Sequence, residues 1–320
     1  WLVGAPNEGL RCMFTMMNSA RLMVGLQGLG IAEAAYQISL GFAKERLQSR
    51  SVSGPKSADK PADPLTVHPD VRRNLLRQKV MIEGCRALAY FTGMHADIAH
   101  SHEDASTRQQ ADDLVQLLTP VVKAFLTDEG FNCANDGLQV MGGSGYTQDW
   151  GIEQLVRDAR ITMIYEGTNG IQALDLVGRK LGLAGGRAVR GFFELVQTWL
   201  KDNPQAPHVS AVAKALQQLQ KATLWVASEG MKDPEQAGAA ATPYLRLFAL
   251  TSLAWLWSRM AAVASAQLQQ ETAEKIFYGA KLKSADFFMA RILVETDSLL
   301  AEVVSGKATL MAFADDEFAA

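Results

Sequence analysis

The stretch ITMIYEGTNGIQALDL, Ile161 to Leu176, changes character at its sixth residue. Apolar residues dominate as far as Tyr165. Glu166 follows, then Gly167, Thr168, Asn169 and Gly170, and a second apolar run with helical spacing begins at Ile171. The pattern is that of a buried segment joined through a tight turn to the first turn of a helix. It shows none of the alternation with period two that marks a half-buried strand.

The same helical spacing extends in both directions. From Arg11 to Arg46, apolar and small residues recur every three or four positions, with Gly25, Gly28 and Gly30 inside the run. Each glycine costs about 1 kcal/mol against alanine in a helix interior, so close approach of another helix or a ligand is expected there. Ser49 to Pro69 carries four prolines and reads as a loop. Asp70–His102 is a second helix, and Glu103–Thr107 a polar break. Thr119–Met141 reads as a third helix, with Pro120 at its start and Thr119 as cap. Gly142, Gly143 and Gly145 end it, and short helices follow at Trp150–Ala159 and Thr168–Leu181. Gly182–Gly186, GLAGG, is the clearest boundary. Beyond it, Val189–Asp202, Ser210–Gly230, Pro243–Gln269 and Glu271–Val304 are long helical segments with short links, the pattern of an up-down bundle. Only Trp1–Val3 could be the end of a strand. The fold class is all-α. Residues 11–186 form one helical domain and 187–320 a second, with 1–10 the tail of a β-rich domain.

Composition excludes several functions. The 320 residues are 48% hydrophobic and 20% charged, enough for a sizeable core. The 31 basic and 34 acidic residues are intermixed, giving a net charge of −3, with no basic stripe for nucleic acid. Cys12, Cys85 and Cys133 are distant and odd in number, which suits a reduced, cytoplasmic protein with cysteines as core filler. The longest apolar run, Leu247–Trp257, falls short of the roughly 20 residues of a spanning helix and reads as a buried one. The chain opens on Trp1 with no signal-peptide pattern, as a piece whose beginning is missing would.

Two readings are open for Glu166. As a first-turn acid it complements a helix dipole. As a general base it sits behind an apolar approach that raises a carboxylate's pKa by desolvation, with Gly167 allowing another molecule close to the backbone. Free amides after Thr168 could bind a phosphate or a flavin edge. QVMGGSGY, Gln139–Tyr146, is a helix end and tight turn, and lacks the strand and GxGxxG spacing of a dinucleotide site. KERLQSR, Lys44–Arg50, places basic residues at a helix C-terminus, which the dipole explains; an anion-binding role for Arg46 is compatible. His95, His100 and His102 lack metal-ligand spacing.

Together RDARITMIYEGTNGIQ (Arg157–Gln172), LQVMGGSGY and MMNSARLMVGLQGLGIAEAAY resemble, in order and spacing, the C-terminal half of an acyl-CoA dehydrogenase. The wording GTNGIQALDLVGRKL and the helices beyond Gly186 resemble a subgroup of larger dehydrogenases, among them 3-methylmercaptopropionyl-CoA and broad-range fatty acyl-CoA enzymes. The resemblance implies Glu166 as catalytic base, with its N–H donating to the thioester carbonyl, and Gly167 lining the thioester site. It implies Asn18 and Arg21 near the acyl-CoA, and Thr168 and Gly170 beside FAD. Arg46 and Gln48 would meet the flavin's pyrophosphate or adenine end. Gln139 and Gly143 would reach the FAD of a neighbouring subunit, so a homodimer is the minimum unit. It further implies an upstream helical and β-rich half, and an electron-transfer flavoprotein or similar acceptor. Asn18 stands where the family often has an acid, and Leu47–Arg50 departs from its Arg-x-x-Phe-Gly run. An acyl-CoA oxidase of the same fold and a non-catalytic helical assembly module are the competing readings.

Overall fold

The computed structural model describes residues 2–319, and they form helices and turns with no strand among them. The all-α class expected from the helical spacing is the class observed. The nearest approach to a sheet is one antiparallel bridge, Leu47 to Pro64. Of the strand end expected at Trp1–Val3, Leu2 and Val3 are exposed and in no regular element, and Trp1 lies outside the described residues. In chain order the helices are α1 (Gly9–Glu45), α2 (Pro69–Ser101), α3 (Ala105–Met141), α4 (Gly143–Tyr146), α5 (Ile152–Thr162) and α6 (Asn169–Asp175). They continue with α7 (Arg187–Asp202), α8 (Val209–Lys232), α9 (Pro234–Leu268), α10 (Lys275–Phe287) and α11 (Glu295–Ser305).

α1 and α3 meet backbone to backbone. A Cβ on Gly28 would lie 2.6 Å from the Leu126 carbonyl oxygen, and one on Gly130 would lie 2.6 Å from the Gly28 carbonyl oxygen. No side-chain adjustment relieves a clash with backbone, so the helix-propensity cost of these glycines is offset by the contact they permit. Gly25 meets Val122 in the same way, whereas Gly30 has open space around it. The expected close approach therefore explains Gly25 and Gly28 and not Gly30.

Three helix boundaries differ from expectation, each for a local reason. α3 starts at Ala105 and not at Thr119, because Asp104 caps it: the Thr107 N–H donates to its carboxylate at 2.7 Å. The helix then runs through Pro120, which is buried, as are Leu117, Leu118, Val121 and Val122 around it in sequence. α9 likewise starts at Pro234, with the Glu235 N–H donating to Asp233 at 3.0 Å, and passes through buried Pro243. A proline inside a helix removes a donor and crowds the preceding turn; in both places burial of the apolar face outweighs it. The segment Glu271–Val304 is two helices, α10 and α11, separated by a π-turn at Phe288–Ile292. A second π-turn, Leu176–Lys180, continues α6.

α9 runs through the middle of the molecule. Every residue from Leu247 to Trp257 is buried. By length and composition α9 could cross a membrane, yet 78% of its apolar window is covered by protein, so it is apolar all round because it is buried all round. One continuous core joins Leu29 of α1, Leu88 of α2 and Phe125 of α3 to Phe192 of α7, Leu219 of α8, Trp255 of α9 and Val303 of α11. It passes across the joint at 182–186, where Ala184, Gly185 and Gly186 take φ of 48°, 65° and 83°. A row of ion pairs crosses the same divide. Arg77 of α2 pairs with Asp136 and Glu129 of α3, both at 2.8 Å; Arg246 of α9 pairs with Glu129 at 2.9 Å and with Glu295 of α11 at 2.5 Å. Cys85 and Cys133 are buried as core filler; Cys12 is only half-buried.

Candidate active site

The turn between α5 and α6 is built from strained backbone held by buried polar side chains. Glu166 takes φ 59° and Gly167 φ 83°. The left-handed region costs a non-glycine residue on the order of 1–3 kcal/mol and persists only when its surroundings impose it. Gln172, with no exposed surface, donates from Nε2 to the carbonyls of Glu166 at 3.1 Å and Gly167 at 3.3 Å. A Cβ on Gly167 would lie 2.7 Å from that same nitrogen, so position 167 requires glycine for space as well as for φ. The Asn169 N–H donates to the Met163 carbonyl at 3.0 Å, closing the turn. Thr168 caps α6, its Oγ1 accepting from the Ile171 N–H at 3.3 Å.

Below the turn lies α3. Lys123, fully buried, donates to the Gly167 carbonyl and to Asn169 Oδ1, both at 2.9 Å. The Asn169 amide donates to the Ala124 carbonyl, Thr127 Oγ1 and Asp128 Oδ1 at 3.1, 3.0 and 2.6 Å. Burial pulls the Lys123 ammonium down to about 8; nearby Arg21 pulls the same way, while Asp128 and Glu166 oppose it. Burial pushes the Asp128 carboxyl up to about 6, against the hydrogen bond from Asn169.

Glu166 itself is half-buried, and its Oε2 is closed to water without a hydrogen-bond donor. The approach to it is apolar but not buried as expected: Ile161 is 52% exposed and Ile164 45%. α5 points Ile152, Ala159 and Thr162 inward, which turns Ile161 to the surface; Ile164 lies in the turn beyond its end. The Tyr165 hydroxyl donates to Gln27 Oε1 on α1, where Met23 and Leu26 are also exposed. Exposed large apolar residues around a carboxylate are a mark of a covered or ligand-binding surface.

Of the other residues expected here, Arg21 is buried and lies near Gly167: a Cβ on Gly167 would be 4.0 Å from its Nη2. Arg21 pairs with Asp175 at 3.3 Å, and its Nε is buried without an acceptor. Asn18, one turn earlier on α1, is exposed, as are Thr168 and Gly170. Arg21, Glu166, Gly167, Thr168 and Gly170 thus surround one turn. Arg46, Gln48, Gln139 and Gly143 are elsewhere: all four line a cavity of about 650 Å³ between the end of α1, the start of α2 and the α3–α4 turn, and none of the Glu166 cluster lines it.

That cavity is shaped by a pinned loop. Asp63, fully buried, accepts from the N–H groups of Ser51, Lys56 and Ser57 at 2.9, 2.9 and 2.8 Å and from Arg50 Nη1 at 3.3 Å. The Gln48 N–H donates to the Asp63 carbonyl at 3.0 Å. The Ser51 bond first, then those from Ser57, Lys56 and Arg50, lower the Asp63 carboxyl to about 2, against the effect of burial. A depressed folded-state pKa stabilises above the ordinary aspartate range, and the contribution is lost as pH falls towards 2. Asp63→Asn is therefore expected to speed proteolytic cutting between Ser51 and Ala62 at neutral pH, and to make cutting less dependent on acid. Equal cutting rates in both proteins would exclude this role.

The sequence carries a signal at Lys123. One lysine stands in Leu117–Leu126, LLTPVVKAFL, among apolar residues on every side, and a charge in such a run is either at the surface or holding something. Asn169 and Gln172 gave no such signal, since their partners are distant in sequence.

The family described as "Acyl-CoA dehydrogenase, C-terminal domain" matches residues 7–181, and that described as "Acetyl-CoA dehydrogenase C-terminal like" matches 192–314. The 3-methylmercaptopropionyl-CoA dehydrogenase of Ruegeria pomeroyi is 40% identical over 303 residues, covering 92% of this chain and 50% of that protein. The broad-specificity linear acyl-CoA dehydrogenase FadE5 of Mycobacterium tuberculosis is 32% identical over 309 residues, with the same two coverages. The chain thus spans about half the length of these relatives. In fold it is similar to Caenorhabditis elegans ACDH-11, solved in complex with C11-CoA (TM-score 0.74, 18% identity, 90% of this chain and 45% of that one). It is also similar to a Bacillus anthracis acyl-CoA dehydrogenase complexed with FAD (TM-score 0.71, 18% identity, 94% and 51%). With one family matching more than half of its residues and the other most of the rest, this chain belongs to the acyl-CoA dehydrogenase family.

Proposed function

We propose that this chain is the C-terminal half of an FAD-dependent acyl-CoA dehydrogenase that converts an acyl-CoA thioester to the trans-2-enoyl-CoA, with Glu166 as the base. The observation that carries the reading is the Glu166 carboxylate oxygen withheld from water and left without a donor, on a backbone held in a strained conformation. Such an oxygen has no competing hydrogen bond to break before it takes the α-proton. No hydrogen bond from the Glu166 N–H forms within the described residues, which leaves that donor for the thioester oxygen as charge builds on it. A bound flavin supplies the acceptor for the hydride leaving the β-carbon. Arg46, without a carboxylate partner among the described residues, together with Gln48, Gln139 and Gly143 suits the phosphate and adenine end of FAD in its cavity. Following the resemblance at Gln139 and Gly143, the FAD held there is assigned to a second subunit, and the working unit to a homodimer. Residues 187–320 serve as scaffold for this half. An electron-transfer flavoprotein or similar carrier reoxidises the enzyme.

The test uses the complete enzyme, this chain joined to the rest of its length. Acyl-CoA thioesters from short to long, with a thioether chain among them, are offered with an artificial electron acceptor. Formation of 2-enoyl-CoA equal to acceptor reduced is expected. No turnover on any thioester sinks the proposal, and hydrogen peroxide as the main product in air gives the reaction to an oxidase instead. Residues 1–320 alone are expected to purify colourless; one tightly held FAD per chain would contradict the division of the flavin site between two halves.

A further inference from the structure

We infer that Lys123 is a positioning residue for the proton-transfer step: from within α3 its ammonium grips the Glu166–Gly167 turn from beneath and fixes the carboxylate and the Glu166 N–H in place. The inference rests on the proposed role of Glu166. Lys123 has no exposed surface, and its Nζ bonds only to neutral oxygens, the Gly167 carbonyl and Asn169 Oδ1, both at 2.9 Å. Among the described residues no carboxylate lies within ion-pair distance; Asp128 of α3 and Glu166 act on it from further off, as does the cation of Arg21 on α1. Burying an ammonium without a contacting counter-charge is unfavourable, and an apolar residue of similar size would serve this core position better. Stability therefore does not account for Lys123.

Geometry does. Its two acceptors lie on either side of Thr168: one is the carbonyl of the residue after the base, the other the side chain of the first residue of α6. A single rigid, charge-assisted pair of bonds ties the strained turn to the helix that follows it. Asn169 is itself locked by Ala124, Thr127 and Asp128, so the grip is referred to the body of α3. Without it, only the Gln172 amide holds the two carbonyls of the turn. The α-proton must meet a carboxylate held to a fraction of an ångström, and a shift of about 1 Å costs on the order of 10²-fold in rate.

The test compares Lys123→Met, Lys123→Arg and Glu166→Gln in the complete flavoenzyme. Three quantities are read: FAD content, kcat per bound flavin with KM, and exchange of the substrate's α-protons with D2O, anaerobically and without acceptor. Lys123→Met is expected to keep FAD and KM while kcat per flavin and exchange both fall about 10²-fold, and Lys123→Arg to recover part of the loss. A purely structural lysine would lower FAD content and melting temperature but leave exchange per bound flavin unchanged, and that result overturns the inference. If Lys123→Met loses its flavin altogether, Lys123→Gln, which keeps the slot polar, decides by the same readings. Wild-type exchange in the lysine variants beside an inactive Glu166→Gln removes Lys123 alone, whereas an active Glu166→Gln removes the base assignment first.

Discussion

Glutamine at position 166 is expected to leave the complete flavoenzyme folded and yellow and to lower its kcat by about 10³–10⁴-fold, the upper part of the range for losing a general base. The substitution keeps size and shape. It breaks no hydrogen bond at Oε2, because that atom has none. It keeps the backbone N–H proposed to meet the thioester oxygen, so KM is expected to hold while kcat falls, the sign of an interaction used in the transition state. What an amide lacks is the capacity to accept the α-proton. Rapid quenching with analysis for 2-enoyl-CoA gives the rate of the chemical step directly. A single-turnover rate within tenfold of wild type would move the base elsewhere; of the neighbouring carboxylates, Asp175 is already paired with Arg21 and Arg179, and Asp128 accepts from Asn169.

The largest stability effect is expected at Glu129. Its carboxylate, 2% exposed, bonds Arg77 on one oxygen and Arg246 on the other. Glu129→Ala leaves two guanidiniums facing each other with Asp136 and Glu295 as their remaining partners. Removing one member of a buried ion pair costs roughly 3–5 kcal/mol, and the partial exposure of both arginines places this case near 3 kcal/mol. Urea unfolding at neutral pH measures it; a loss below about 1 kcal/mol would mean that the arginines re-pair without strain. The dependence on pH has a definite sign. Burial raises the Glu129 carboxyl, but Arg77 and Arg246 lower it further, so it titrates below the ordinary glutamate range. Its contribution is therefore full above that range and disappears as pH falls through the folded-state value, which narrows the gap between wild type and variant in acid.

The helices and their order could be read in the sequence because nearly every segment repeats its apolar residues with a period near 3.6. The ends were harder. Pro120 and Pro243 carry the chemistry of a helix start, and only the buried faces around them, supplied by segments far away in the chain, keep α3 and α9 continuous. The π-turn at Phe288–Ile292 left no trace in composition. At the site, Glu166, Gly167 and Arg21 could be found from local wording, and the structure brings them to one turn. The buried support could not, because Lys123 meets Gly167 and Asn169 across more than forty positions. Nor could the exposure of Ile161, which depends on the rotation of α5 about its own axis.

A shared interior also sets a schedule for synthesis. α2 and α3 emerge from the ribosome long before α9, whose aromatic and leucine side chains complete the oil-like centre they face. During that interval their inward surfaces have no native covering, a state prone to sticking to other nascent chains. Synthesis of α9 therefore does more than append a module: it covers the inward faces of α2 and α3, and a chain cut short before α9 would keep those apolar surfaces bare.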